Sequence, residues 1–133
     1  MPKTIVQVSD THLCKVFPYF ADNWQHFAAE MEALKPDHLI HTGDISLSGT
    51  MDDQAMRHIR SEIDRLPVPC FAIPGNHDIG TTGSPLKPIS EETVAHWQTH
   101  FGEDRFVFDI ERWRLIGLNT EILGSGLPSE ELQ

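Results

Sequence analysis

The stretch "CFAIPGNHDIG", residues 70–80, runs from four apolar residues into a turn and then sets Asn76, His77 and Asp78 side by side. A Pro-Gly pair accounts for the bend at Pro74 and Gly75, because proline fixes φ and glycine tolerates positive φ. Neither requires "NHD" to follow. Ligating side chains placed directly behind a buried strand mark either a polar turn or a site, and the rest of the chain must decide which.

Outward from this stretch, strands and helices alternate. "TIVQV" at 4–8 is β-branched and apolar, and the polar "SDTH" stops it, so it reads as a first strand. Between Ala21 and Leu34, the residues Trp24, Phe27, Ala28, Met31 and Leu34 recur on one face of an amphipathic helix that Lys35 and Pro36 end. "HLIHT" at 38–42, stopped by Gly43, is a second strand. Thr50 with Asp53 three residues on forms a capping box, and Met56, Ile59, Ile63 and Leu66 then repeat at helical spacing. "VPCFAIP", between Pro67 and Pro74, is the third strand. A β-α-β-α-β order implies a parallel sheet with crossover helices, an α/β fold.

Beyond a Gly/Pro/Thr-rich loop, Ser90 caps a helix with Glu91 and Glu92 in its first turn and Val94, Trp97 and Phe101 on its apolar face, before Gly102. "RFVFDI" and "RLIGLN" flank Glu111 to Trp113 as an antiparallel hairpin. The tail from Thr120 carries Gly124, Gly126 and Pro128 and has no clear period. The expected organisation is one domain over 1–133, with a motif-bearing part at 4–78, helix and hairpin at 90–119 and the tail at 120–133.

Polar clusters follow each strand of the first half. Asp10 and His12 follow the first, Gly43 and Asp44 the second, and Asn76, His77 and Asp78 the third. Alone, each is an ordinary set of turn formers. Together they matter, because the carboxyl ends of parallel strands share one edge, where open α/β sheets bind ligands. Carboxylate, imidazole and amide oxygen make a mixed N/O donor set suited to borderline or hard divalent ions such as Mn, Fe or Zn. Asp44, on the middle strand, could bridge two cations, with Asp10 and His12 holding one and Asn76 the other.

Charge sharpens this reading. With 20 Asp and Glu against 10 Lys and Arg, the net charge of −10 excludes the basic face needed to bind extended nucleic acid. Bound cations would supply the positive charge that attracts a phosphate oxygen. Cys14 and Cys70 are the only cysteines, so no disulfide framework is expected and a reducing compartment suits the chain. The first residues show no signal-peptide pattern and no run reaches the length of a membrane span, so the expectation is a soluble cytoplasmic protein.

"DTH" at Asp10 to His12, "GD" at Gly43 and Asp44, and "GNHD" at Gly75 to Asp78 resemble the first three signature blocks of the calcineurin-like metallophosphoesterase superfamily. Within it, the chain looks most like small bacterial cyclic-nucleotide-type phosphodiesterases. The resemblance implies half of an α/β/β/α sandwich and a dinuclear site that activates water for in-line attack on phosphorus, with Asp44 as shared ligand. It also implies that His77 contacts substrate and stabilises charge or protonates the leaving oxygen, while Asp78 orients its ring. Asn76 would bind metal and help to place the substrate, a small phosphate ester such as a nucleotide.

Family members draw further ligands from downstream histidines, whereas the histidines here stand at 12, 26, 38, 41, 58, 77, 96 and 100 and then cease. The chain therefore resembles an N-terminal half, with weakened metal binding, reduced or no activity, and sheet surface exposed for self-association. A non-catalytic interaction scaffold is the alternative function. His96 and His100 lie four apart, a possible ligand pair, although Trp97 and Phe101 point to a core-packed helix with its histidines facing solvent. His26 and His58 fall on polar helix sides, and His41 reads as a packed or hydrogen-bonded strand residue. Phe17, Tyr19 and Phe20 could wall a site, and a packed loop is the expectation.

Overall fold

Alternation along β1 (Ile5–Val8), β2 (His38–His41) and β3 (Cys70–Ala72) sends successive side chains to opposite faces of the sheet. The computed structural model describes all residues 1–133. The three strands pair in parallel in the order β1-β2-β3, with Val6 beside Leu39 and Leu39 beside Cys70. Winding in one direction puts both crossover helices, α1 (Ala21–Leu34) and α2 (Asp53–Asp64), on the same face. Trp24 of α1 accordingly shares a buried cluster with Met56, Ile59 and Ile63 of α2, while Met31 packs with Leu39 and Val68. The short α3 (Asn76–Ile79) and then α4 (Glu91–Phe101) extend this layer, adding Ile79, Val94 and Trp97 to the core.

The opposite face receives the hairpin β4 (Phe106–Ile110) and β5 (Trp113–Gly117), paired antiparallel. Phe108 stacks on Phe71 of β3 with ring centroids 4.1 Å apart and sits 5.1 Å from the His38 ring of β2. Phe106 completes the aromatic seam, 5.5 Å from Phe71. Val107 and Ile116, paired across the hairpin's outer face, are exposed. The result is the mixed α/β architecture expected of part of a metallophosphoesterase fold.

One local reading changes, and two segments gain definition. Asp52, not Thr50, caps α2, its side chain accepting from the Ala55 N–H at 2.9 Å, and the Thr50 hydroxyl instead bonds the His77 carbonyl at 3.0 Å. "NHD" lies on one helical turn, α3, rather than in an irregular loop. The tail forms two short 3-10 turns, Thr120–Ile122 and Pro128–Leu132, too brief to leave a hydrophobic period. No helix is long and apolar enough to cross a membrane.

Candidate metal centre

The loops after β1 and β2 continue the parallel sheet by backbone bonding. Asp10 N–H donates to the Gly43 carbonyl at 3.0 Å, His12 N–H to Asp44 at 3.0 Å, and Leu13 N–H to Ile45 at 2.7 Å. Following this path turns Asp10, His12 and Asp44 to positive φ, at 58°, 44° and 52°. Non-glycine residues adopt that region at a cost, and such strain collects at functional sites. Gly43, at φ 109°, lies so close to Gly75 that a Cβ would come within 3.0 Å of the Gly75 backbone. A Cβ on Gly75 would collide with the Asp44 carboxylate and lie 2.5 Å from its backbone nitrogen. Glycine is required here so that the second and third loops can touch.

A pair of imidazoles and a carboxylate meet at this edge. His12, Asp44 and His77 each offer a ligand atom, all within 4.8 Å of one another. The His12 and His77 rings pack edge to face at 4.7 Å, and Asp10 Oδ1 lies 3.6 Å from His12 Nε2. Two donors about 2.1 Å from one cation stand roughly 3.0–3.4 Å apart, so the Asp10–His12 spacing needs only a small closure to hold an ion. Asp44 Oδ1 accepts the His77 N–H at 2.9 Å, which leaves its other oxygen free. His12 Nδ1 is buried without a partner. The donor set and its spacing fit a divalent cation. Asn76 opens α3 beside them with its side chain exposed.

Asp78 serves this edge from beneath. Its carboxylate is 1% exposed and accepts from the N–H groups of Ile45, Ser46 and Gly75 at 3.2, 2.9 and 2.9 Å and from the Ser46 hydroxyl at 2.7 Å. Burial pushes its pKa up, and those donors, which suit the ionised form, oppose the shift. The His77 ring is aimed by another group: its Nδ1 donates to the Leu47 carbonyl at 2.6 Å. The sequence expectation that Asp78 orients the ring is thus corrected. Asp78 fixes the backbone of the second and third loops, and only through them the ring. Leu47 gave no sequence signal, because any residue supplies a carbonyl.

His41 ties the first two loops together. Gly43 N–H donates to its Nδ1 at 3.3 Å, so the proton sits on Nε2, which donates to Thr11 Oγ1 at 2.9 Å; that hydroxyl passes its own hydrogen to the Ile45 carbonyl at 3.3 Å. Burial lowers the His41 pKa to about 4, keeping the ring neutral. The expected hydrogen-bonded strand histidine is found here.

A cleft of about 260 Å³ opens beside His12, with Lys15, Phe20, Trp24 and Glu62 in its wall. The Trp24 indole donates to Glu62 at 3.2 Å, closing the far side. Phe17 and Tyr19, expected to pack, are exposed and stack on each other with centroids 6.0 Å apart. His96 and His100, expected to face solvent, are nearly buried and meet Asp53 instead.

The chain is 27% identical to the 3',5'-cyclic adenosine monophosphate phosphodiesterase CpdA of Escherichia coli K12 over 142 aligned residues, which take in 96% of this chain and 45% of that protein. It is 31% identical to a probable glycerophosphodiester phosphodiesterase GpdQ of Arcobacter nitrofigilis over 139 aligned residues, covering 96% of this chain and 48% of the relative. The chain therefore spans about half the length of the curated relatives it matches. With the three strand-end blocks converging on one edge, and with the calcineurin-like phosphoesterase profile matching residues 3–127, the chain belongs to the calcineurin-like phosphoesterase family.

Proposed function

We propose that this chain carries the metal-binding part of a phosphodiesterase that hydrolyses small phosphate esters, with a cyclic nucleotide or a glycerophosphodiester as the substrate class. The convergence of His12, Asp44 and His77 ligand atoms within 4.8 Å is the observation that carries this reading. Asp10 and His12 would hold one divalent cation and Asn76 a second, with Asp44 shared between them; manganese, iron and zinc all suit these donors. When bound, such ions neutralise phosphate charge and make water acidic enough to attack at neutral pH.

The protein's own groups do the rest. Because Leu47 occupies Nδ1–H of His77, Nε2 is the nitrogen left to meet the substrate. In the imidazolium form it donates a proton to the leaving oxygen, a contribution of about 10²–10⁴-fold. Asn76, exposed at the start of α3, places the phosphate beside it. Lys15 in the neighbouring cleft adds positive charge for the ester, and Phe20 offers a flat apolar surface to its organic group. Unpaired Cys14 and Cys70 suit work in the reducing cytoplasm. The outer Val107 and Ile116 supply apolar surface for self-association, which sedimentation at increasing concentration would register.

Hydrolysis of bis(p-nitrophenyl) phosphate with added manganese tests the reading. Turnover that falls at least about 10²-fold in His77→Ala, with unchanged folding, is expected. Turnover indifferent to His77, or no turnover with partner binding preserved, overturns it in favour of a non-catalytic interaction scaffold.

A further inference from the structure

A second group of ligating side chains lies where α2 begins against α4. His96 and His100, one turn apart on α4, both direct Nε2 at the same oxygen, Asp53 Oδ1, at 3.0 and 2.9 Å. Their rings pack edge to face at 5.0 Å, and the three ligand atoms lie within 4.8 Å of one another. None of the three belongs to the strand-end cluster. The imidazoles are 11% and 8% exposed, whereas Asp53 is 62% exposed, so the histidine side is walled and the carboxylate side is open.

We propose that Asp53, His96 and His100 form a separate site for a borderline divalent cation of the zinc type. Two imidazole nitrogens and one carboxylate oxygen are the donors zinc takes in three-ligand sites, where water completes the tetrahedron. Neighbouring charge permits it. Arg57 faces the other carboxylate oxygen, Oδ2, at 3.8 Å, leaving Oδ1 to the cation. Arg60, one turn further on, is held by Asp64 and lies over the Phe101 ring at 5.7 Å. The ion takes the place of the two Nε2 protons, each nitrogen offering its lone pair while its proton moves to Nδ1. The site fastens the start of α2 to α4. Thr50, just before that start, bonds the His77 carbonyl, so the fastening also steadies the segment that presents His77.

Zinc titration by calorimetry of the Asp10→Asn/His12→Gln/Asp44→Asn chain, in which the strand-end cluster loses both its own ligands and the shared carboxylate, should show one ion per chain. Adding His96→Gln and His100→Gln should remove it, since glutamine keeps an N–H for Asp53 but binds zinc poorly. Equal zinc uptake by both proteins overturns the proposal. Should the multiple variants fail to fold, long-range 1H–15N spectra of the unsubstituted chain decide. Zinc must shift the His96 and His100 Nε2 resonances to saturation and place the proton on Nδ1, and unmoved resonances overturn the site. Neither readout depends on phosphodiester turnover.

Discussion

The strand-end edge and the α2–α4 junction both gather histidine and aspartate, but they are built in opposite ways. At the sheet edge the ligands sit on loops forced to positive φ, zipped together by backbone bonds and supported by the buried Asp78. At the junction the ligands sit on regular helices, and helix packing alone brings them into contact. Loop geometry of the first kind is costly and must be supported by many partners; the second costs little backbone strain and relies on side chains. The edge should therefore be fragile to changes that never touch a ligand, and the junction tolerant of them.

The largest contrast should come from Asp78→Ala. It strips acceptors from the buried N–H groups of Ile45 and Ser46 and the half-buried one of Gly75, and each unsatisfied donor costs about 1–3 kcal/mol, so a loss of about 3 kcal/mol is expected in urea unfolding. Asp53→Ala, at the exposed junction, should stay within about 1 kcal/mol. If the two losses match, the distinction between the regions fails.

Acid should then single out the edge. His41 has a folded pKa of about 4 against 6.5 in the unfolded chain, so the unfolded state takes up the proton first as pH falls. Stability present above pH 6.5 is lost progressively down to about pH 4, by about 3 kcal/mol. His41→Asn should flatten that part of the stability curve, measured by unfolding at several pH values.

Gly75→Ala tests the close approach of the second and third loops. Overpacking of about 1–3 kcal/mol is expected, together with displacement of Asp44 and loss of manganese affinity at the edge. Zinc binding at the junction should survive, so a joint loss would show the two regions to be one unit. The smallest effect belongs to Asp52→Ala, which removes the α2 cap for about 1 kcal/mol, read as a lower Tm with edge chemistry intact.

The parallel sheet and its edge were legible because the strands are short apolar runs and their ligands follow within five residues of each strand's end, so topology alone assembles them. The α4 cap was equally plain, since Ser90 does bond the Thr93 N–H. The cap of α2 was misplaced because Thr50 and Asp52 are both capping residues, and the choice depended on Thr50 finding the His77 carbonyl across the fold. His96 and His100 were misread for a related reason. Their helix face is set by Trp97, but their exposure is set by where α2 begins.

The order of strands and helices and the residue types delivered to one edge could be read along the chain, because periodicity and turn chemistry act over a few neighbouring residues. Packing between distant segments settled that Leu47 rather than Asp78 aims the His77 ring, that Asp78 braces two loops from below, and that Asp53 meets two histidines. Those partners are more than thirty residues apart or are backbone carbonyls. Contacts of that kind are fixed by how whole elements pack, which no local pattern encodes.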